Sequence, residues 1–137
     1  MLNTTSKYAL QALLVLSKRK EGEFVQVNAL SKDSDVPGPY LAKIIKTLAA
    51  RQIVETRRGI SGGVRLHPEA RSTTFFEVCQ ALNDPITADS CLLSKKRCNG
   101  EAPCPMHDRW SVLRSQIVKF LHESKINSDR RLDALSG

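Results

Sequence analysis

Aromatic residues are scarce in this chain: one Trp, two Tyr and four Phe among 137 residues. Aliphatic side chains must therefore do most of the packing, and a hydrophobic content of 41% is enough for a core. No apolar run approaches the roughly 18–20 residues needed to cross a bilayer, which excludes a spanning helix. Residues 1–8 lack the charged segment and apolar block of a secretory signal, so a cytoplasmic chain with no membrane partner is expected. A nucleotide-binding glycine loop and a nucleophile–base constellation are also missing, so the chain does not read as an enzyme. Paired C-x2–4-C knuckles, the usual framework of a zinc site, are absent as well. The length fits one domain, or one small domain with an appended dimerisation element.

What is present is positive charge, and its placement is informative. The net charge is +7, from 21 Lys+Arg against 14 Asp+Glu. Residues 40–65 carry Lys43, Lys46, Arg51, Arg57, Arg58 and Arg65 against Glu55 alone. That local excess equals the whole excess of residues 1–70, and a concentrated basic segment is the electrostatic footprint of a polyanion partner.

Residues 3–6 offer helix N-caps, after which Tyr8, Ala9, Ala12, Leu13 and Leu16 recur at helical spacing. The charged residues 18–23 end that helix. A short extended piece is expected at Phe24-Val25-Gln26-Val27. Asn28 is then read as the cap of a brief helix to about Ser34, with Ala29 and Leu30 inward. After the turn Asp35-Val36-Pro37-Gly38, Pro39 suits a helix first turn. Leu41, Ile44, Ile45 and Leu48 make a buried stripe, opposite Lys43, Lys46, Thr47 and Arg51. Ile53-Val54-Glu55-Thr56 and Val64-Arg65-Leu66-His67 read as a hairpin joined by a glycine-rich tip. Thr74 and Glu77 propose a capping box for a helix from Phe75 to about Leu82, stopped by Asn83-Asp84-Pro85. Residues 85–106 are expected to be irregular. A last helix starts at His107, with Trp110, Leu113, Ile117 and Phe120 at alternating three- and four-residue spacing, a short a/d seam.

Two short helices, a longer amphipathic helix and a β-hairpin, in that order, make a winged helix-turn-helix. The overall class is mainly α with a small β-hairpin, plus a long C-terminal dimerisation helix. In such a fold the outer face and N-terminus of the third helix are free to enter a major groove. Pro39, Tyr40, Lys43, Lys46, Thr47 and Arg51 are the candidate DNA contacts there. Arg57, Arg58 and Gly59 at the hairpin tip are candidates for an adjacent minor groove.

Cys91-x6-Cys98-x5-Cys104 has gaps wide enough for three loop segments to wrap a body larger than a zinc ion, which points to an iron–sulfur cluster; thiol-only redox sensing stays open as the alternative. His107, three residues after Cys104, is placed to add an imidazole. Cys79, beside Val78 and Leu82, reads as a buried structural thiol.

The chain resembles, over nearly its full length, the winged-helix iron–sulfur transcription regulators of the IscR/NsrR-like family. Three segments carry the resemblance: Ser6-Lys7-Tyr8-Ala9; Tyr40-Leu41 with Arg57-Arg58-Gly59 and Gly62-Gly63-Val64; and the cysteine segment followed by His107 and Trp110. The resemblance implies a homodimer paired through Trp110, Leu113, Ile117 and Phe120, bound to a palindromic double-stranded operator. It implies cluster ligands at Cys91, Cys98, Cys104 and His107, and regulation, as a repressor, by redox state, iron or nitric oxide. Some members use an N-terminal carboxylate for a 4Fe–4S cluster; here no Asp or Glu precedes Glu21, which favours His107 and 2Fe–2S. The first cysteine gap is one residue longer than is usual, and Ala42 stands where IscR-like proteins carry a glutamate, so their operator sequence is not carried over. The expected organisation is a DNA-binding region 1–70, a connecting helix and cysteine segment 71–106, a dimerisation helix 107–126 and a tail 127–137. A cluster-free thiol regulator, or an iron–sulfur carrier that binds no DNA, are the competing functions.

Overall fold

A computed structural model of the chain describes residues 2–88 and 106–126. Its elements, in order, are helices α1 (Thr4–Ser17), α2 (Val27–Ser34) and α3 (Gly38–Ala50), strands β1 (Val54–Arg57) and β2 (Gly63–Leu66), and helices α4 (Phe75–Ala81) and α5 (His107–Glu123). Single 3-10 turns occupy Ala70–Ser72 and Pro85–Thr87, the second inside a stretch expected to be irregular.

Asn3 caps α1, its Oδ1 accepting from the Ser6 amide at 2.8 Å. Ala9, Ala12, Leu13 and Leu16 then turn one face inward. Helix α2 corrects the sequence reading. It starts at Val27, with Gln26 in the cap position and no side-chain cap, so Asn28 lies in the first turn instead. Ala29 is exposed and Leu30 is the buried apolar residue. The reason lies in Val25, which pairs with Val64 through two 2.8 Å backbone hydrogen bonds. The extended backbone ends there, and the helix follows almost at once.

The Leu41, Ile44, Ile45 and Leu48 stripe of α3 is buried as expected, and Pro39 sits in the first turn. The C-terminus closes with paired bonds from Gln52 N to Ala49 O (3.0 Å) and from Ile53 N to Leu48 O (3.0 Å). This is a Schellman motif, with buried Ile53 set against buried Leu48 and the chain redirected into β1. The left-handed position is held by Gln52, at φ +59°, where glycine is usual. Gln52→Gly is therefore expected to stabilise the protein by about 0.5–1 kcal/mol. A urea midpoint that rises at constant m is the check; a lower midpoint would mean that the Gln52 side chain makes contacts outweighing its backbone strain.

Strands β1 and β2 are antiparallel, pairing Val54 with Leu66, Glu55 with Arg65, Thr56 with Val64 and Arg57 with Gly63. The Val25–Val64 bridge adds a third edge to this wing. Helix α4 opens with the full capping box, Thr74 Oγ1 accepting from Glu77 N and Glu77 Oε2 from Thr74 N, both at 3.1 Å. The chain leaving α5 returns to that point: Phe75 N donates to Ser124 O and Ile126 N to Thr73 O.

One core joins α1, α2, α3 and the wing to Val78 and Ala81 of α4 and to Ile126 beyond α5. A smaller one gathers Cys79, Ile86 and Leu121, with half-buried Phe75, Phe76, Trp110 and Ile117 packed on it. Among the described residues no helix is long and apolar enough to cross a membrane.

Candidate nucleic-acid interface

With the α3 stripe committed to the core, Pro39, Tyr40, Lys43, Lys46, Thr47 and Arg51 all lie exposed. Tyr40 keeps 53% of its surface and meets Tyr8 of α1 edge-on, with ring centroids 5.7 Å apart. The Thr47 hydroxyl donates back to Lys43 O at 3.3 Å. Lys43, Lys46, Arg51 and Arg58 enter no ion pair among the described residues, and their full charge is available to phosphate.

The remaining basic residues of the segment behave differently. Arg65 pairs with Glu55 across the strands, Nε to Oε2 at 2.8 Å, and His67 lies 3.6 Å from the other Glu55 oxygen. The guanidinium groups of Arg57 and Arg65 both sit 4.5 Å from the ring centre of Phe24, a double cation–π stack. Arg57 is thus held against Phe24, whereas Arg58, Gly59 and Ile60 form the exposed tip. The tip is closed by Gly62 N donating to Gly59 O at 3.0 Å. A Cβ on Gly62 would fall 2.1 Å from the Arg57 carbonyl oxygen, so the turn admits no side chain there. Sequence reasoning found the charges but not the brace, because a contact between Phe24 and two arginines more than 30 positions away leaves no local pattern.

Cys91, Cys98, Cys104 and the side chain of His107 lie outside the described residues, as does the tail 127–137. The frame around the cysteine segment is described. Arg114 of α5 donates through Nη2 to Ile86 O (3.0 Å) and Ala88 O (2.8 Å), gripping the chain as it enters the segment. The chain leaves at Met106, which begins the same helix, about two turns or roughly 12 Å back along it. Just ahead of the grip, the buried Asp84 carboxylate accepts from Ile86 N and from Asn3 N at the head of α1. Cys79 is fully buried; burial pushes its thiol up, the Ser6 hydroxyl opposing and the Asp84 carboxylate adding to the effect. It is an inert structural thiol, as expected.

The four residues of the expected α5 seam divide. Trp110 and Ile117 pack on the smaller core of their own chain, while Leu113 and Phe120 stay 54% and 60% exposed. Met106 and Val112 are exposed beside them, and 106, 113 and 120 stand seven residues apart.

This order of elements, with a basic third helix and a braced wing, is matched by a family model described as "Rrf2: Iron-dependent Transcriptional regulator" over residues 2–128. The chain belongs to the Rrf2 family. It is a DNA-binding winged-helix transcription regulator, not an enzyme. It is 30% identical, over 92% of its length and 88% of the relative's, to a protein of Aquifex aeolicus (strain VF5) described as an HTH-type transcriptional regulator. Two solved structures share the fold at a TM-score of 0.73. One is the IscR of T. potens, at 19% identity over 98% of this chain and 88% of that one. The other is CymR, described as the global cysteine regulator of B. subtilis, at 17% identity over 92% of both chains.

Proposed function

We propose that this Rrf2 regulator is a cytoplasmic homodimer that binds a palindromic operator, and that its DNA affinity is set by an iron–sulfur cluster held by Cys91, Cys98, Cys104 and His107. The observation that carries this reading is the frame of the cysteine segment: its entry is gripped by Arg114 and its exit is the first turn of the same helix. Three thiolates and one imidazole, on a segment whose described flanks both meet the last helix, are a donor set of the right kind for 2Fe–2S, with 4Fe–4S less favoured. Bound there, the cluster would supply a ligation that responds to iron supply, oxidation or nitric oxide.

The residues around the segment connect it to the DNA-binding half. Arg114 holds Ile86 and Ala88, Asp84 ties the same stretch to Asn3, the cap of α1, and Tyr8 of α1 meets Tyr40 at the head of α3. A change in how the segment is held therefore has a continuous set of contacts through which to bias the recognition helix. Major-groove readout falls to the face bearing Pro39, Tyr40, Lys43, Lys46, Thr47 and Arg51, and the wing supplies Arg58 and Gly59, with Arg57 nearer its base.

Cys98→Ala is expected to remove the visible charge-transfer bands, iron and acid-labile sulfide of protein purified without oxygen, while circular dichroism stays that of the folded chain. A variant that keeps the bands, or a wild-type protein that is colourless and takes up no iron and sulfide on reconstitution, sinks the cluster reading. The second outcome leaves a cluster-free thiol regulator.

A further inference from the structure

Ile60 is 98% exposed, at the outermost point of the wing. A single exposed apolar side chain is commonplace. This one is set apart by how firmly it is presented. Gln26 Nε2 donates to the Ile60 carbonyl oxygen at 2.8 Å, fixing the tip to the start of α2. The Gly59–Gly62 turn closes beneath it, Val64 is pinned to Val25, and Arg57 and Arg65 clasp Phe24 at the base. Its neighbours Gly59 and Ser61 are small, so the isoleucine projects beyond them. Arg58, with its charge unpaired among the described residues, stands beside it.

We propose that Ile60 is a DNA-contacting residue: an apolar tip that enters the minor groove beside Arg58 and partly unstacks a base step. The proposal rests on the reading of α3 and the wing as the DNA interface and adds a contact that does not depend on charge. A minor groove is only about 6 Å wide, which suits a narrow tip with one branched side chain between small neighbours. Isoleucine is among the side chains that act as wedges between base steps. A braced tip loses little conformational freedom on insertion, so more of the apolar contact is expressed as affinity. An isoleucine gains nothing from phosphate, so its placement in the most basic part of the chain is best explained by contact with sugar walls and base edges.

The test uses the full chain and a duplex selected from a random pool by the wild-type protein. Binding is followed by fluorescence anisotropy at several salt concentrations, and 2-aminopurine is scanned through the site. Ile60→Ala and Ile60→Ser should weaken binding about 5- to 30-fold, with the slope of log K against log salt unchanged. The 2-aminopurine brightening seen at one position with wild-type protein should be lost. Arg58→Ala should instead reduce that slope by about 1. A doubly substituted Lys43→Ala, Lys46→Ala protein serves as the reference for the interface itself. If it binds weakly while Ile60→Ala binds within about twofold of wild type, or if no position brightens, the tip proposal is overturned and the interface stands. If the lysine variant also binds normally, the interface reading fails and takes the tip with it.

Discussion

Gly63→Ala is expected to dislodge the wing, costing about 3–5 kcal/mol of stability and about 100-fold or more in operator affinity. Gly63 has φ +141°, and a Cβ there would lie 2.2 Å from the Val25 carbonyl oxygen, 2.6 Å from its carbon and 3.0 Å from Gln26 N. All three are backbone atoms, so no flexible side chain can move aside. Relief requires Val25 and Val64 to part, which gives up two 2.8 Å hydrogen bonds and lifts Val64, fully buried, out of the core. It also shifts the segment between Phe24 and Gln26 on which the tip is braced. Urea unfolding and anisotropy on the selected duplex measure the two effects. An alanine variant of wild-type stability would mean that β2 does not approach Val25 as closely as described.

The second large effect is expected on α5. In the homodimer proposed above, Leu113→Glu with Phe120→Glu should yield a monomer, visible by sedimentation against a dimeric wild type, and lower operator affinity about 100-fold or more through loss of the tethered second half-site. Circular dichroism should hardly change, because both side chains are more than half exposed in the single chain. Trp110→Ala and Ile117→Ala should act the other way round, lowering the unfolding midpoint through lost packing on Cys79, Ile86 and Leu121. A double-glutamate protein that sediments as a dimer would place the interface elsewhere.

These variants mark where sequence reading succeeded and where it stopped. The Leu41, Ile44, Ile45 and Leu48 stripe, the Thr74–Glu77 box and the hairpin were legible because each is a short-range pattern with one physical solution. Their order and the basic segment between residues 40 and 65 pointed to a DNA-binding winged helix, and the family came from the resemblance carried by residues 6–9, 40–41, 57–64 and the cysteine segment. The start of α2 was misread because it is decided by Val64, nearly 40 residues downstream. Arg57 and Arg65 counted as free charges until Phe24 and Glu55 took them up. Along α5 a three- and four-residue spacing is the same whether a side chain meets its own core or a second copy. Only the position of α4 separates Trp110 and Ile117 from Leu113 and Phe120. The tie between Asp84 and Asn3 spans 81 positions and has no sequence signature at all.

The core that joins α1 to Val78, Ala81 and Ile126 has a bearing on how the molecule comes into being. A chain emerging from the ribosome through residue 70 already holds the helices and wing of a DNA-binding module, but the cover over α1 is still to come. That cover consists of α4, the Asp84 tie and the Ile126–Thr73 bond. Contacts of such long sequence separation form late and slow the final step of folding. Grip on DNA should accordingly arise only when the C-terminal helix has docked. A nascent or prematurely ended chain, though it carries every basic residue of the interface, would then fail to occupy the operator in competition with the finished regulator.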